Sequence, residues 1–179
     1  MTVGHARVLC ADPPWSFGDK LPGAGRGAEK NYSVMGVEAI CGFDLPPIHE
    51  NAWLFMWRVA SQVEEAYRVV RAWGFVPKTE IVWQKLTSGG KPWFGMGRYT
   101  RSSHEVAIVS TRGRVQPKVR NVRSTFSAKA GRHSEKPDEF YKIVERLSEG
   151  PYVELFARRR RPGWLCLGNE LLPERAVIP

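Results

Sequence analysis

Cysteine is scarce in this chain of 179 residues: Cys10, Cys41 and Cys166 are the only three, an odd number with no C-x-x-C spacing. Neither a zinc site nor a disulfide framework is supported, and the three thiols read as small buried residues. Long apolar runs are also missing. No stretch approaches the ~20 residues needed to span a bilayer, and Met1-Thr2-Val3-Gly4-His5 lacks the pattern of a signal peptide. The chain therefore reads as cytoplasmic, with no membrane partner and no metal. No internal repeat is visible. Gly95-Met96-Gly97 is not a dinucleotide fingerprint, because no helical pattern follows it. Acid, finally, is absent from two stretches. Residues 112–132 hold seven basic side chains and no carboxylate, and Arg158-Arg159-Arg160-Arg161 adds four more. Together they exceed the whole formal net charge of +9, so the remainder is close to neutral. A localised basic face suits a phosphate backbone, although a solvated surface accounts for the charge equally well.

What is present begins with the apolar run Ala6-Arg7-Val8-Leu9-Cys10-Ala11, which reads as a buried strand and is followed at once by Asp12-Pro13-Pro14-Trp15. Two prolines can continue neither a helix nor a central strand, so the chain must leave the sheet there. An acid, a backbone carbonyl and a large aromatic ring are presented together at a strand's carboxyl end, where open α/β sheets bind ligands. The set suits a planar, weakly basic amine such as adenine's. Asp12 can accept one amine hydrogen, the carbonyl of Pro13 the other, and Trp15 can stack on the ring. The same four residues also suit a plain turn, with Asp12 capping backbone amides and Trp15 in the core.

At 42% hydrophobic and 25% charged residues, the length suits one domain spanning residues 1–179. Two stretches read as long loops expected to face substrate. Residues 16–33 carry Gly18, Gly23, Gly25 and Gly27, and residues 85–101 form the second. Ala52-Trp53-Leu54-Phe55-Met56-Trp57, Thr79-Glu80-Ile81-Val82-Trp83, Glu105-Val106-Ala107-Ile108-Val109 and Tyr152-Val153-Glu154-Leu155-Phe156-Ala157 read as strands, with Trp164 to Leu167 a sixth candidate. Val59, Val63, Ala66, Tyr67, Val70 and Trp73 fall on one helical face that Gly74 would cap, and Phe140, Ile143, Val144 and Leu147 mark a helix entered at Pro137. Strands alternating with helices imply an α/β fold, a mostly parallel sheet with helices on both faces.

With Asp12-Pro13-Pro14-Trp15 stand Tyr32-Ser33-Val34-Met35, Arg101-Ser102-Ser103-His104-Glu105, His133-Ser134-Glu135-Lys136-Pro137-Asp138-Glu139, Glu145-Arg146-Leu147, Glu154-Leu155-Phe156-Ala157-Arg158 and Gly168-Asn169-Glu170. In this order, over nearly the whole chain, they resemble the N6-adenine methyltransferases with an Asp-Pro-Pro-Trp motif, a family that includes the catalytic subunit of the eukaryotic messenger-RNA adenosine methyltransferase and bacterial and phage DNA enzymes. The resemblance implies a Rossmann-like methyltransferase fold in permuted order, catalytic strand first and cofactor strand last, with S-adenosylmethionine as cofactor. It implies Asp12, Pro13, Pro14 and Trp15 as the catalytic motif. Asp12, Ser134, Lys136, Arg158, Asn169 and Glu170 fall on cofactor positions, Lys136 toward the methionine carboxylate and Asn169 and Glu170 around the ribose. Relatives often carry a longer segment ahead of the catalytic strand, which helps form the adenine pocket. Here 11 residues precede Asp12, and sequence selectivity is expected to come from the loops.

Transfer from a sulfonium to nitrogen is an in-line displacement that needs alignment at about 3–3.5 Å and stabilisation of charge developing on nitrogen. Asp12 acts as a preorganised acceptor and takes no proton before attack. Substrate contacts are assigned to Trp15, Tyr32, Arg120 and Arg123, with Trp93 a further candidate. His104 reads as a structural residue, and Trp53, Trp57, Trp73 and Trp83 as core. The expected substrate is nucleic acid, DNA before RNA. RNA or a nucleoside, and a non-catalytic platform that binds nucleic acid beside a partner subunit, stand as alternatives, and a homodimer is compatible with each.

Overall fold

A computed structural model describes residues 5–16, 34–97, 99–131, 135–169 and 171. Strand β1 (Ala6–Ala11) is followed by the short helix α1 (Val37–Cys41), β2 (Ile48–Arg58), α2 (Val63–Ala72), β3 (Val76–Leu86), β4 (His104–Arg112), β5 (Thr125–Lys129), α3 (Asp138–Leu147), β6 (Tyr152–Leu155) and β7 (Trp164–Leu167). The strands form one sheet in the order β5-β3-β4-β2-β1-β6-β7. β1 pairs in parallel with β2 and β6, β6 with β7, and β3 with β5, whereas β4 runs antiparallel to both neighbours. Mostly parallel is thus correct, with β4 the exception.

The β1 run is apolar because both its faces are covered. Leu9 and Ala11 join a cluster with Ile40 of α1 and Ala66, Val69 and Val70 of α2, while Val8 and Cys10 meet Phe140, Tyr141 and Val144 of α3 on the opposite face. Helix α2 ends as its sequence requires. Gly74 takes a left-handed φ of 79°, its amide bonds to the Arg71 carbonyl, and the amide of Phe75 reaches the Val70 carbonyl. This is a Schellman closure, which only glycine enters without steric cost.

The strands depart from the sequence expectation most at β3, β5 and β6. β3 starts at Val76 and contains Pro77, which a central strand would exclude. β5 pairs only with Val82 to Leu86, so β3 is an edge strand at Pro77 and the missing amide forfeits no ladder bond. β5 lies inside the basic stretch, where Phe126 and Ala128 alternate with exposed Thr125, Ser127 and Lys129. β6 stops at Leu155, because Phe156 turns to a left-handed φ of 59°.

Candidate functional site

Chain direction decides which groups meet. From β1 the chain moves outward to β2, and from β6 it moves the other way to β7, so the adjoining carboxyl ends of β1 and β6 form a topological switch point. The register pairs Ala11 with Leu155 and so puts Asp12 beside Phe156. A small open cleft lies there, lined by Asp12, Glu135, Lys136, Glu154, Phe156 and Arg158, among others. β4 runs against its neighbours, so its first residues, His104 and Glu105, arrive at this same edge.

The Asp-Pro-Pro-Trp turn is fixed by backbone bonds. The amide of Trp15 donates to the Pro13 carbonyl at 2.8 Å, that of Met35 to the Pro14 carbonyl at 2.8 Å, and that of Ser16 to the Met35 carbonyl at 3.1 Å. From the N-cap of α2, the side-chain amide of Gln62 adds a bond to the Ser16 carbonyl at 2.5 Å. One lone pair on the Pro13 carbonyl is therefore already used, leaving one for a ligand. Trp15 differs from expectation more sharply. Its ring is only 3% exposed and sits in the core, and its indole N–H donates to the Trp57 carbonyl at 3.2 Å. It offers no free face to a base. Its place is that of a positioning residue, which locks the turn onto β2.

Asp12 is held by charge. Lys136 Nζ lies 2.9 Å from one Asp12 oxygen and 3.1 Å from Glu105, and Lys85 bonds the other Glu105 oxygen at 2.7 Å. The Lys136 side chain is 9% exposed, with its ammonium 5.1 Å from the centre of the Trp57 ring. Burial alone would lower the Lys136 pKa, but Asp12 and Glu105 outweigh it and raise it above the ordinary lysine value. Burial likewise works against ionised Glu105, and Lys136 and Lys85 reverse this to hold the carboxyl below its usual range. Lys136 and Glu105 are thus both held in their charged forms, and the row Asp12, Lys136, Glu105, Lys85 fixes which way Asp12 faces.

On the β6 side, Glu154 is buried and accepts a 2.5 Å hydrogen bond from Tyr141. Burial raises its pKa despite Tyr141 and Arg161. Arg161 lies 3.5 Å over the Tyr141 ring, and Arg159 and Arg161 both pair with Asp138. At least these two of the four consecutive arginines support α3 instead of forming a free basic patch.

The left-handed turn at Phe156 lets the Ala157 amide bond the Leu167 carbonyl at 2.9 Å. That contact draws Gly168-Asn169 against Ala157-Arg158, so Arg158 and Asn169 reach one end of the sheet. Gly168 has no alternative, because a Cβ there would lie 2.2 Å from the Ala157 carbonyl oxygen.

Arg120 and Arg123 are exposed but lie elsewhere. Arg112 ends β4 opposite Ala52, and Lys118 bonds the Leu147 carbonyl at the far end of α3. The connection from β4 to β5 therefore runs along the edge opposite Asp12, and the assignment of these two arginines to the substrate site is corrected. The cause is the antiparallel β4, which carries the chain away from the cleft before the basic run begins. Tyr32, Ser134 and Glu170, with His133, lie outside the described residues. Sequence reasoning missed Glu105 and Lys85 as site groups. A glutamate at the head of an otherwise apolar strand is the available signal, whereas the neighbouring His104 is exposed.

Comparison with known proteins decides the family. The MT-A70 family model matches residues 6–170. The chain belongs to the MT-A70 family. It is 29% identical to the N(6)-adenosine-methyltransferase MT-A70-like protein of Drosophila melanogaster, with all of this chain and 29% of that protein aligned. It is 28% identical to the human N(6)-adenosine-methyltransferase catalytic subunit METTL3, over 94% of this chain and 29% of the relative. Human N(6)-adenine-specific methyltransferase METTL4 is 27% identical over 92% of this chain and 37% of its own length. The chain thus spans well under half of each of these relatives. The seven-stranded α/β sheet agrees with the Rossmann-like architecture expected of an MT-A70 methyltransferase.

Proposed function

We propose that this chain transfers a methyl group from S-adenosylmethionine to the exocyclic N6 of adenine in nucleic acid, with DNA as the first substrate, and that it does so in the cytoplasm. The observation that carries the reading is Asp12, held by buried Lys136 at the mouth of the cleft between β1 and β6 in a chain of the MT-A70 family.

The cleft's chemistry suits the cofactor. A molecule with an amino-acid end, a sulfonium and an adenosine needs anions, a cation and an apolar face. The cleft offers Asp12 and Glu135 as anions, Lys136 and Arg158 as cations, and the Phe156 ring. An ammonium has three donors. Lys136 uses two of them on Asp12 and Glu105, which leaves one for a carboxylate. Asn169 and Arg158 would serve the ribose. When bound, S-adenosylmethionine supplies an electrophilic methyl group on a sulfonium.

This chain's own residues then hold the amine. Asp12 accepts one N6 hydrogen, the remaining lone pair of the Pro13 carbonyl takes the other, and the fixed carboxylate stabilises positive charge on nitrogen as it develops. The nitrogen lone pair would become the N–C bond as the methyl–sulfur bond breaks and its electron pair stays on sulfur as a neutral thioether, and the excess proton on nitrogen would pass to water or through Asp12. Lys136 and Glu105 keep the carboxylate aimed without being consumed.

RNA is a second reading, favoured because several relatives carry adenosine, the ribonucleoside, in their names. Incubation with DNA and RNA oligonucleotides and adenosine side by side, with N6-methyladenine identified by mass spectrometry, tests both readings. Product in DNA supports the proposal, product in RNA alone supports the second reading, and product in neither removes catalysis by this chain on its own.

A further inference from the structure

The connection from β3 to β4 leaves the sheet at the Asp12 edge, and Glu105 of the Asp12–Lys136–Glu105 row is the second residue after it. It is built, not slack. The Trp93 amide bonds the Lys85 carbonyl at 2.9 Å, the Gly95 amide bonds the Ser102 carbonyl at 2.9 Å, and Thr87 pairs with Lys91 at 2.8 Å. Gly95 and Gly97 pass so close to Ser102 and Thr100 that a Cβ would lie 2.5 Å and 1.9 Å from those backbone oxygens. On this frame stand the most exposed aromatic rings described in the chain, Phe94 at 77% and Tyr99 at 90%. Arg101 places its guanidinium 5.2 Å from the centre of the Phe94 ring. Residues 85–103 contain Lys85, Lys91, Arg98 and Arg101 and no acid.

Exposed rings on a fixed, cationic, acid-free loop beside a catalytic edge suit one occupant. Bases within a duplex are already stacked and would leave these rings uncovered, whereas an unpaired strand offers both a ring face to cover them and a phosphate for the adjacent cations. We propose that the β3–β4 connection is a stacking platform for single-stranded nucleic acid, where bases flanking the target adenine cover Phe94 and Tyr99 while Arg101 and Lys91 meet the backbone. The inference rests on the methyltransferase reading for its target base, but not for the platform itself. It explains why Arg112, Arg114, Lys118, Arg120 and Arg123 are not needed at the cleft.

Phe94→Ala combined with Tyr99→Ala should fold, because both rings are largely exposed. Fluorescence anisotropy with a labelled single-stranded DNA and its duplex, at one fixed salt concentration, reads the platform directly. Wild type is expected to bind the single strand more tightly than the duplex. The double variant should lose on the order of tenfold or more for the single strand, with little change for the duplex and none in S-adenosylmethionine binding measured by calorimetry. Phe94→Trp combined with Tyr99→Trp should restore the affinity. Equal binding of the single strand by wild type and alanine variant overturns the proposal, as does a wild-type preference for duplex. Sedimentation serves as the third arm: if the alanine variant is monomeric where wild type is a dimer, the loop is a contact between copies and the proposal falls. Absence of N6-methyladenine from every substrate, with the binding loss intact, would remove the methyltransferase reading and leave the platform standing.

Discussion

Asp12, just past the end of β1, and Glu154, on the neighbouring β6, are two carboxyl groups with opposite environments. Asp12 faces Lys136 at 2.9 Å, whereas Glu154 is enclosed with Tyr141 beside Cys10 and Cys166. Burial dominates at Glu154 and raises its pKa above the ordinary glutamate value of 4.5. A carboxyl with a raised folded pKa binds its proton more firmly when folded. Its stabilising contribution is therefore complete below pH 4.5 and is lost as pH rises through the folded value. Glu154→Gln removes the titration while the amide oxygen can still accept from Tyr141. Wild type should lose stability relative to this variant as pH rises above 4.5, measured by urea unfolding at several pH values. A stability difference that does not change with pH would show that burial does not govern this group. Trp15 marks the limit of residue-scale reading. Its aromatic face was legible, but whether that face was free depended on Trp57, 42 positions away, and the turn was also readable with Trp15 in the core.

At the scale of elements, legibility followed the range of the determining contacts. β1, α2 and α3 were set by local periodicity and local caps, and their limits were readable from Ala6 to Ala11, from Gly74 and from Pro137. The direction of β4 was not, because an apolar run gives no sign of whether its partners run with it or against it. β5 was readable in principle from the alternation of Phe126 and Ala128, but its charged surroundings concealed it. The β6 end was hidden differently: nothing in Phe156 announces a left-handed turn. The element that depends on that turn is the β7 terminus, where Gly168 packs against Ala157. Gly168→Ala should push this terminus away from Arg158 and displace Asn169, weakening S-adenosylmethionine binding in calorimetry while circular dichroism shows the sheet retained. An unchanged dissociation constant would mean that Asn169 and the β7 end take no part in holding the cofactor.

For the whole molecule, the sheet sorts charge by edge. The switch-point edge carries Asp12, Lys136, Glu105 and the aromatic loop, while the opposite edge carries Arg112, Arg114, Lys118, Arg120 and Arg123, all exposed. Sequence order could not show this, because residues 112–132 follow immediately on β4, whose first residues help build the site. Asp12, Lys136, Arg158 and Asn169 come from four separate stretches, and the fold brings all four to the same end of the sheet. The central claim is that this gathering makes Asp12 a catalytic acceptor. Single-turnover methylation of an adenine-containing oligonucleotide by Asp12→Asn tests it most directly, because the substitution is nearly isosteric and leaves the prolines and Trp15 in place. The account predicts that the variant still binds nucleic acid, that wild type forms N6-methyladenine, and that the variant's rate falls on the order of 10²–10³. Wild-type rates in Asp12→Asn would contradict it.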